Sequence, residues 1–143
     1  MSLVFPVATG TQQNDTKLSG SAVALGPHDD NLLLATALHC LSDAEEIALI
    51  IPPHGGDCTE RQTYPTEEMT GARAEIANTN PFADLAILSV PLENLTGGMP
   101  PQEISNDPDA LSVGDEIVVL GYPFAPLGSA LETWTPGHVT ALG

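Results

Sequence analysis

Hydrophobic residues along this chain fall in short runs or alternate with polar residues, a pattern that predicts β-strands rather than helices. Gly and Pro, with 13 residues each, interrupt the apolar runs at short intervals and favour a β protein over a helical bundle. Seven segments are predicted as strands: Ser21–Leu25, Leu32–Thr36, Ile47–Ile51, Ala72–Ala77, Leu85–Val90, Glu116–Leu120 and Thr133–Leu142. We expect 85–90 and 116–120 to be buried, and the only helix expected is about one turn at 37–42.

Polar segments between these strands predict the turns and connections. Residues 26–31 predict a hairpin turn between the first two strands, and residues 54–70 predict a polar loop. Residues 92–111 are rich in Pro, Gly, Asn and Asp and predict a connector between two lobes. A length of 143 residues gives room for one domain with a sizeable core.

Charge is strongly unbalanced, with 19 Asp and Glu against 3 Lys and Arg and a formal net charge of −16. This excess argues against binding of nucleic acid or of an anionic membrane, because both need basic patches. No segment is long and apolar enough to span a bilayer, so no membrane insertion is expected. A hydrophobic fraction of 42% is too high for a disordered chain, and residues 1–6 lack the features of a signal peptide.

A histidine and an aspartate stand at the ends of two predicted strands. His39 follows the strand at 32–36, and Asp84 opens the strand at 85–90. In this order the pair suits a His–Asp–Ser hydrolase, because the aspartate fixes the imidazole tautomer and the imidazole takes a proton from a serine. We expect the Asp84 carboxylate to be largely desolvated and paired with His39 Nδ1–H, since a buried carboxylate is tolerated only when it is paired.

Four segments resemble, in the correct order, signature segments of the trypsin-like (chymotrypsin-fold) serine peptidases. Residues 36–40 (Thr-Ala-Leu-His-Cys) resemble the segment around that family's histidine, and residues 84–88 (Asp-Leu-Ala-Ile-Leu) resemble the segment around its aspartate. Residues 112–124 resemble the segment that opens the second barrel, particularly in the bacterial HtrA-like branch, and residues 135–143 resemble the strand after it. Each motif alone is weak, but four in register over nearly the whole chain are specific.

The resemblance implies an all-β, two-barrel fold. Residues 1–95 would form the first β-barrel, 96–112 the inter-barrel connector, and 113–143 the opening strands of an incomplete second barrel. It also implies a serine endopeptidase in which His39 and Asp84 are catalytic, acting on protein or peptide substrates without a metal or cofactor. The family's habits, with the acidity of the chain, imply a secreted or periplasmic location. Strands of the incomplete barrel without partners would favour self-association.

The third catalytic residue has no counterpart in the sequence. The resembled family takes its nucleophile and oxyanion hole from a Gly-Asp-Ser-Gly-Gly-like segment, and neither Gly20-Ser21 nor Gly128-Ser129 is followed by Gly. We therefore expect the serine to lie in sequence not present here, and the 143 residues alone to be inactive. Two alternatives stay open: a catalytically inactive peptidase-like binding module, and a chymotrypsin-fold cysteine peptidase with a distant cysteine as its nucleophile.

The two cysteines, Cys40 and Cys58, are compatible with a disulfide or with two free thiols. The resembled family often has a cysteine in the strand that contains Gly20-Ser21 here, so the resemblance implies that Cys40 lacks its usual partner. We expect a bridge to Cys58 to be absent, and Cys40 to be a buried small residue rather than a nucleophile.

Two further groups of side chains are not expected to have a role in catalysis or binding. The histidines His28, His54 and His138 are expected to be solvated, and the aromatic residues Phe82, Tyr122 and Trp134 to be packing residues.

Overall fold

Eight strands and three short 3-10 turns form among the residues that the structure, a computed structural model, describes: 4–10, 17–42, 44–51, 70–95, 107–121 and 133–142. The strands are β1 (Val4–Gly10), β2 (Lys17–His28), β3 (Asn31–Ala37), β4 (Glu46–Ile51), β5 (Thr70–Asn80), β6 (Leu85–Pro91), β7 (Glu116–Gly121) and β8 (Thr133–His138). The 3-10 turns are Leu38–Leu41, Leu92–Asn94 and Pro108–Ala110. None of the described segments contains a helix long and apolar enough to cross a membrane.

The first six strands close into an antiparallel barrel in the order β1-β2-β3-β6-β5-β4, with β4 paired back to β1. Pairing of β3 with β6 runs from Asn31 opposite Pro91 to Ala37 opposite Leu85. β7 and β8 form a separate two-stranded antiparallel sheet, with Glu116 opposite His138. This arrangement confirms the predicted all-β fold class.

Alternation along the strands produces the barrel core, because successive side chains point to opposite faces of a sheet. Leu32 and Leu34 of β3 and Leu88 and Val90 of β6 point inward and are fully buried. Burial of each such side chain stabilises the fold by roughly 1.5–3 kcal/mol relative to leaving it exposed. Thr36 is the buried polar member of β3, and its hydroxyl donates to the Ser21 carbonyl oxygen at 2.7 Å.

A second, smaller apolar cluster lies on the outside of the barrel. Val4 and Ala8 of β1 and Leu18 of β2 are buried there, and Leu120 of β7 packs against them. β1 is consequently buried along its whole length, because its inner face joins the barrel core and its outer face meets this cluster. The same contact attaches the β7–β8 sheet to the barrel.

Five of the predicted strands lie within β2 to β6, and the turn predicted at 37–42 is the 3-10 turn Leu38–Leu41. The predicted hairpin turn is shorter than expected, because β2 and β3 pair up to His28 opposite Asn31 and leave only two residues between them. Most of the polar loop predicted at 54–70 lies outside the described residues.

The sequence pattern misses one strand, and two strand predictions need correction. β1 was not predicted, because a strand that is buried on both faces lacks the alternation of apolar and polar residues that identifies a strand in the sequence. β7 is not a buried strand: Val118 and Val119 are each 58% exposed, since β7 pairs only with β8 among the described strands and only Leu120 reaches the outer cluster. The last strand ends at His138 rather than at residue 142.

Candidate active site

The β3–β6 ladder brings His39 and Asp84 together. Ala37 is opposite Leu85 at the end of the ladder, so the next residue of one strand faces the preceding residue of the other. Leu38 N–H donates to the Asp84 carbonyl oxygen at 2.9 Å and extends the pairing by one residue. β3 then runs into the 3-10 turn Leu38–Leu41, which contains His39.

Both oxygens of the Asp84 carboxylate bind His39. His39 Nδ1 lies 2.5 Å from Oδ2, and the His39 backbone N–H donates to Oδ1 at 2.8 Å. A carboxylate can only accept hydrogen bonds, so Nδ1 carries the proton in this pair and Nε2 of the neutral ring is the acceptor. The arrangement therefore fixes both the orientation and the tautomer of the imidazole.

The His39–Asp84 pair is open to solvent. The side chains are 71% and 50% exposed for His39 and Asp84 respectively, so the expected desolvation of the Asp84 carboxylate is wrong. The physical reason is that Asp84 belongs to the turn before β6 rather than to the buried part of the strand, and its neighbour Leu85 is itself exposed. The side-chain hydrogen bond from His39 first, and the backbone hydrogen bond from the same residue second, hold the pKa of Asp84 below its ordinary value of 3.8. Asp84 is thus ionised at neutral pH.

Asp84 adopts a backbone conformation that few residue types tolerate. Its φ is 53°, in the left-handed region, which Asp and Asn enter far more readily than β-branched or bulky residues. This conformation ends the turn after β5 and points the carboxylate toward His39 while the carbonyl oxygen pairs with Leu38. Residue 84 must therefore combine a carboxylate with tolerance of positive φ.

Cys40 brings a thiol close to the imidazole. Its Sγ lies 3.7 Å from His39 Nε2, and the cysteine is free. Burial first, and the charge of Asp84 second, raise the pKa of the thiol above its ordinary value of 9.0. The side chain is only partly buried, which corrects the prediction of a buried residue. Cys58 lies outside the described residues.

Gly20 of β2 explains how Cys40 fits against the barrel. A Cβ placed on Gly20 would lie 2.7 Å from Cys40 Sγ and 3.3 Å from Cys40 Cβ. No larger residue fits there without movement of the thiol, so Gly20 and Cys40 are sterically matched.

The remaining candidates stand apart from this site. His28 and His138 are exposed, with Asp29 and Glu116 as their acidic neighbours at 3.6 and 3.9 Å. Phe82 is fully exposed, so the packing role predicted for it is wrong: it lies in the turn after β5, where none of the described strands covers it. The predictions for His54 and Tyr122 and for the side chain of Trp134 fall outside the described residues. Among the described residues, no three His, Cys, Asp or Glu side chains are grouped so that they could hold a metal ion.

Comparison with known families found that residues 20–143 match the model of the trypsin-like peptidase domain. A search of curated protein sequences found no match to the chain. The family match covers most of the chain, and both His39 and Asp84 lie within it. The antiparallel barrel agrees with the fold of that family. The chain therefore belongs to the trypsin-like peptidase family.

Proposed function

We propose that this chain provides the histidine and the aspartate of a serine endopeptidase. The observation that carries the proposal is the bond between His39 Nδ1 and Asp84 Oδ2, which leaves Nε2 of an exposed imidazole as the acceptor. In this role His39 is the general base and general acid, and Asp84 is the residue that orients it. Proteins or peptides are the proposed substrates, and a secreted or periplasmic location is proposed with them.

The mechanism uses the tautomer that Asp84 fixes. Nε2 takes the proton of a serine hydroxyl as its oxygen attacks the carbonyl carbon of a peptide bond. The resulting imidazolium returns that proton to the leaving amine when the C–N bond breaks, and a serine ester remains. Water then attacks the ester with Nε2 again as the base, and the serine regains its proton. The hydrogen bonds that keep Asp84 ionised also stabilise the imidazolium that forms in each half-reaction.

The proposed nucleophile is a serine supplied by sequence outside these 143 residues. The 143 residues contain no Gly-x-Ser-Gly segment of the kind that supplies the nucleophile in this family. Cys40 is an unsuitable substitute despite its position beside Nε2, because its raised pKa disfavours the thiolate. In the same proposal, residues 1–95 are the first barrel, 96–112 the connector, and 113–143 the start of the second barrel.

The test begins with the coding sequence beyond residue 143. A Gly-x-Ser-Gly-Gly segment there supports the serine peptidase, and a Gly-x-Cys-Gly segment supports the cysteine peptidase. The absence of both segments supports the inactive binding module. The full-length product is then assayed on casein and labelled with a fluorophosphonate, which reacts with activated serines. We expect Asp84→Asn to lower kcat by about 10⁴-fold, as loss of the orienting carboxylate does in Ser–His–Asp triads, and His39→Ala to abolish labelling. Cys40→Ala is the matched control, and it should keep both activity and labelling. Activity that survives His39→Ala would overturn the proposal.

A further inference from the structure

The turn that carries Asp84 has no buried side chain to anchor it. It consists of Pro81, Phe82, Ala83 and Asp84, which connect β5 to β6. All four residues are exposed, and Phe82 is exposed completely. Hydrophobic packing therefore does not fix the path of this turn, and its conformation depends on hydrogen bonds.

Asn80 supplies two of those hydrogen bonds with one atom. Its side-chain oxygen Oδ1 accepts from the backbone N–H of Phe82 at 3.1 Å and of Ala83 at 3.2 Å. Asn side chains commonly stabilise turns in this way, because the carboxamide takes the place of a backbone carbonyl. Pro81 has no N–H, and the N–H of Asp84 makes only a long bond, at 3.4 Å, to the Pro81 carbonyl oxygen. The Asn80 carboxamide is thus the main acceptor for the N–H groups of the turn.

We propose that Asn80 is a positioning residue for Asp84. Its carboxamide holds the turn in the shape that ends with Asp84 at a φ of 53° and with both carboxylate oxygens on His39. The described hydrogen bonds of the Asn80 side chain go to the turn and not to His39, so its proposed action is through Asp84. This inference rests on the proposed function, because positioning matters only if the His39–Asp84 pair performs catalysis.

The position of Asn80 explains why its side chain would affect the orientation of the Asp84 carboxylate rather than the stability of the barrel. Asn80 stands at the last pair of the β5–β6 ladder, opposite Leu85. The N–H groups of Phe82 and Ala83 are in an exposed turn, where water can replace the lost acceptor. Removal of the carboxamide therefore leaves the ladder intact and gives the turn more conformations. In most of those conformations Asp84 cannot place both carboxylate oxygens on His39, because these two bonds require a particular backbone conformation of Asp84 and a particular orientation of its side chain at the same time.

The test measures the His39–Asp84 bond directly, without an activity assay. The ring nitrogens of His39 are followed by NMR in the 143-residue chain labelled with ¹⁵N-histidine, and His39→Gln assigns their signals. Asp84→Asn gives the signals of the ring without its carboxylate partner and keeps a residue that tolerates positive φ. We expect Asn80→Ala to move the His39 signals most of the way to those of Asp84→Asn. Asn80→Asp retains an acceptor oxygen and should keep the wild-type signals.

Asn78→Ala is the matched control. Asn78 is on the same exposed strand and its Oδ1 accepts from its neighbour Thr79 at 2.9 Å, but it makes no bond to the turn. We expect the His39 signals of this variant to be those of the wild type. In the full-length peptidase, Asn80→Ala should lower kcat by about tenfold with little change in KM, the size expected for two lost exposed hydrogen bonds. If Asn80→Ala does not fold, Asn80→Val, which also has no side-chain acceptor, provides the same comparison.

The outcomes separate the inference from the proposed function. Wild-type signals in Asn80→Ala, with shifted signals in Asp84→Asn, overturn the role of Asn80 and leave the proposed function standing. Equal shifts in Asn80→Ala and Asn78→Ala also overturn it, because the effect is then not specific to the turn. Wild-type signals that already match those of Asp84→Asn show that the pair does not form in solution, and both proposals fail together.

Discussion

Replacement of Gly20 by cysteine should create a stabilising disulfide with Cys40. The Cβ of the new residue would lie 3.3 Å from the Cβ of Cys40, and disulfides place these atoms roughly 3.5–4.5 Å apart. It would also lie 2.7 Å from Cys40 Sγ, so a small movement of the two strands brings the pair into bonding geometry. The substitution thereby turns a steric conflict into a covalent bond.

The magnitude follows from the length of chain that the bridge would close. Restricting the unfolded chain with a loop of about 20 residues stabilises the folded state by about 3 kcal/mol in the chain-entropy account. Some of this gain is lost to the movement that the short Cβ–Cβ distance requires, so we expect a net gain of about 2–3 kcal/mol. With the urea dependence typical of small proteins, this gain raises the unfolding midpoint by roughly 1–2 M.

The assay compares oxidised and reduced Gly20→Cys by urea unfolding in a Cys58→Ser background, so that only one bridge can form. Mass spectrometry after blocking of free thiols verifies the bridge. Gly20→Ala is the control, and it should be less stable than the wild type because its Cβ crowds Cys40 Sγ. A variant that does not cross-link, or whose oxidised form is no more stable than its reduced form, would refute the placement of Gly20 against Cys40.

Three further outcomes are expected. The purified 143-residue chain should not cleave casein or a peptide ester, because its sequence has no Gly-x-Ser-Gly segment to supply the proposed serine; cleavage that His39→Ala abolishes would reveal an unrecognised nucleophile. Asp84→Asn should be less stable than the wild type near neutral pH, as measured by urea unfolding. Because folding lowers the pKa of Asp84, the ionised carboxylate stabilises the folded chain fully above pH 3.8, and this stabilisation is lost as the pH falls through the folded-state pKa. The difference in stability between Asp84→Asn and the wild type should therefore close at lower pH. A difference that does not depend on pH would contradict this account. We also propose that the exposed apolar side chains of β7, Val118 and Val119, promote self-association in moderate salt, where repulsion from the net charge of −16 is screened beyond ~8–10 Å. Sedimentation of a clean monomer at high concentration would count against that surface, and Val119→Lys should reduce any association.

The turn before β6 has features that the sequence alone did not predict. Asp84 could be singled out by its motif, and the dipeptide Asn80-Pro81 indicated a turn. The motif did not show that the carboxylate would be half exposed, or that the Asn80 carboxamide would accept from two N–H groups of the turn. Exposure depends on which other segments cover a residue, and a hydrogen bond depends on backbone angles that local sequence only restricts. Phe82 was misjudged for the same reason, since an aromatic residue packs only where another element reaches it.

The sequence by itself indicated the strands after β1 and the residues that are chemically able to act. Alternation of apolar and polar residues predicts β2 to β6, because one face of each strand must leave water, and two short motifs single out His39 and Asp84. The tertiary structure alone decided that these two residues meet. Residues 45 positions apart in the chain become neighbours only because β3 pairs with β6 in a register that places Ala37 opposite Leu85. Register and barrel closure are set by the packing of all the strands together, and no single segment of sequence contains that information.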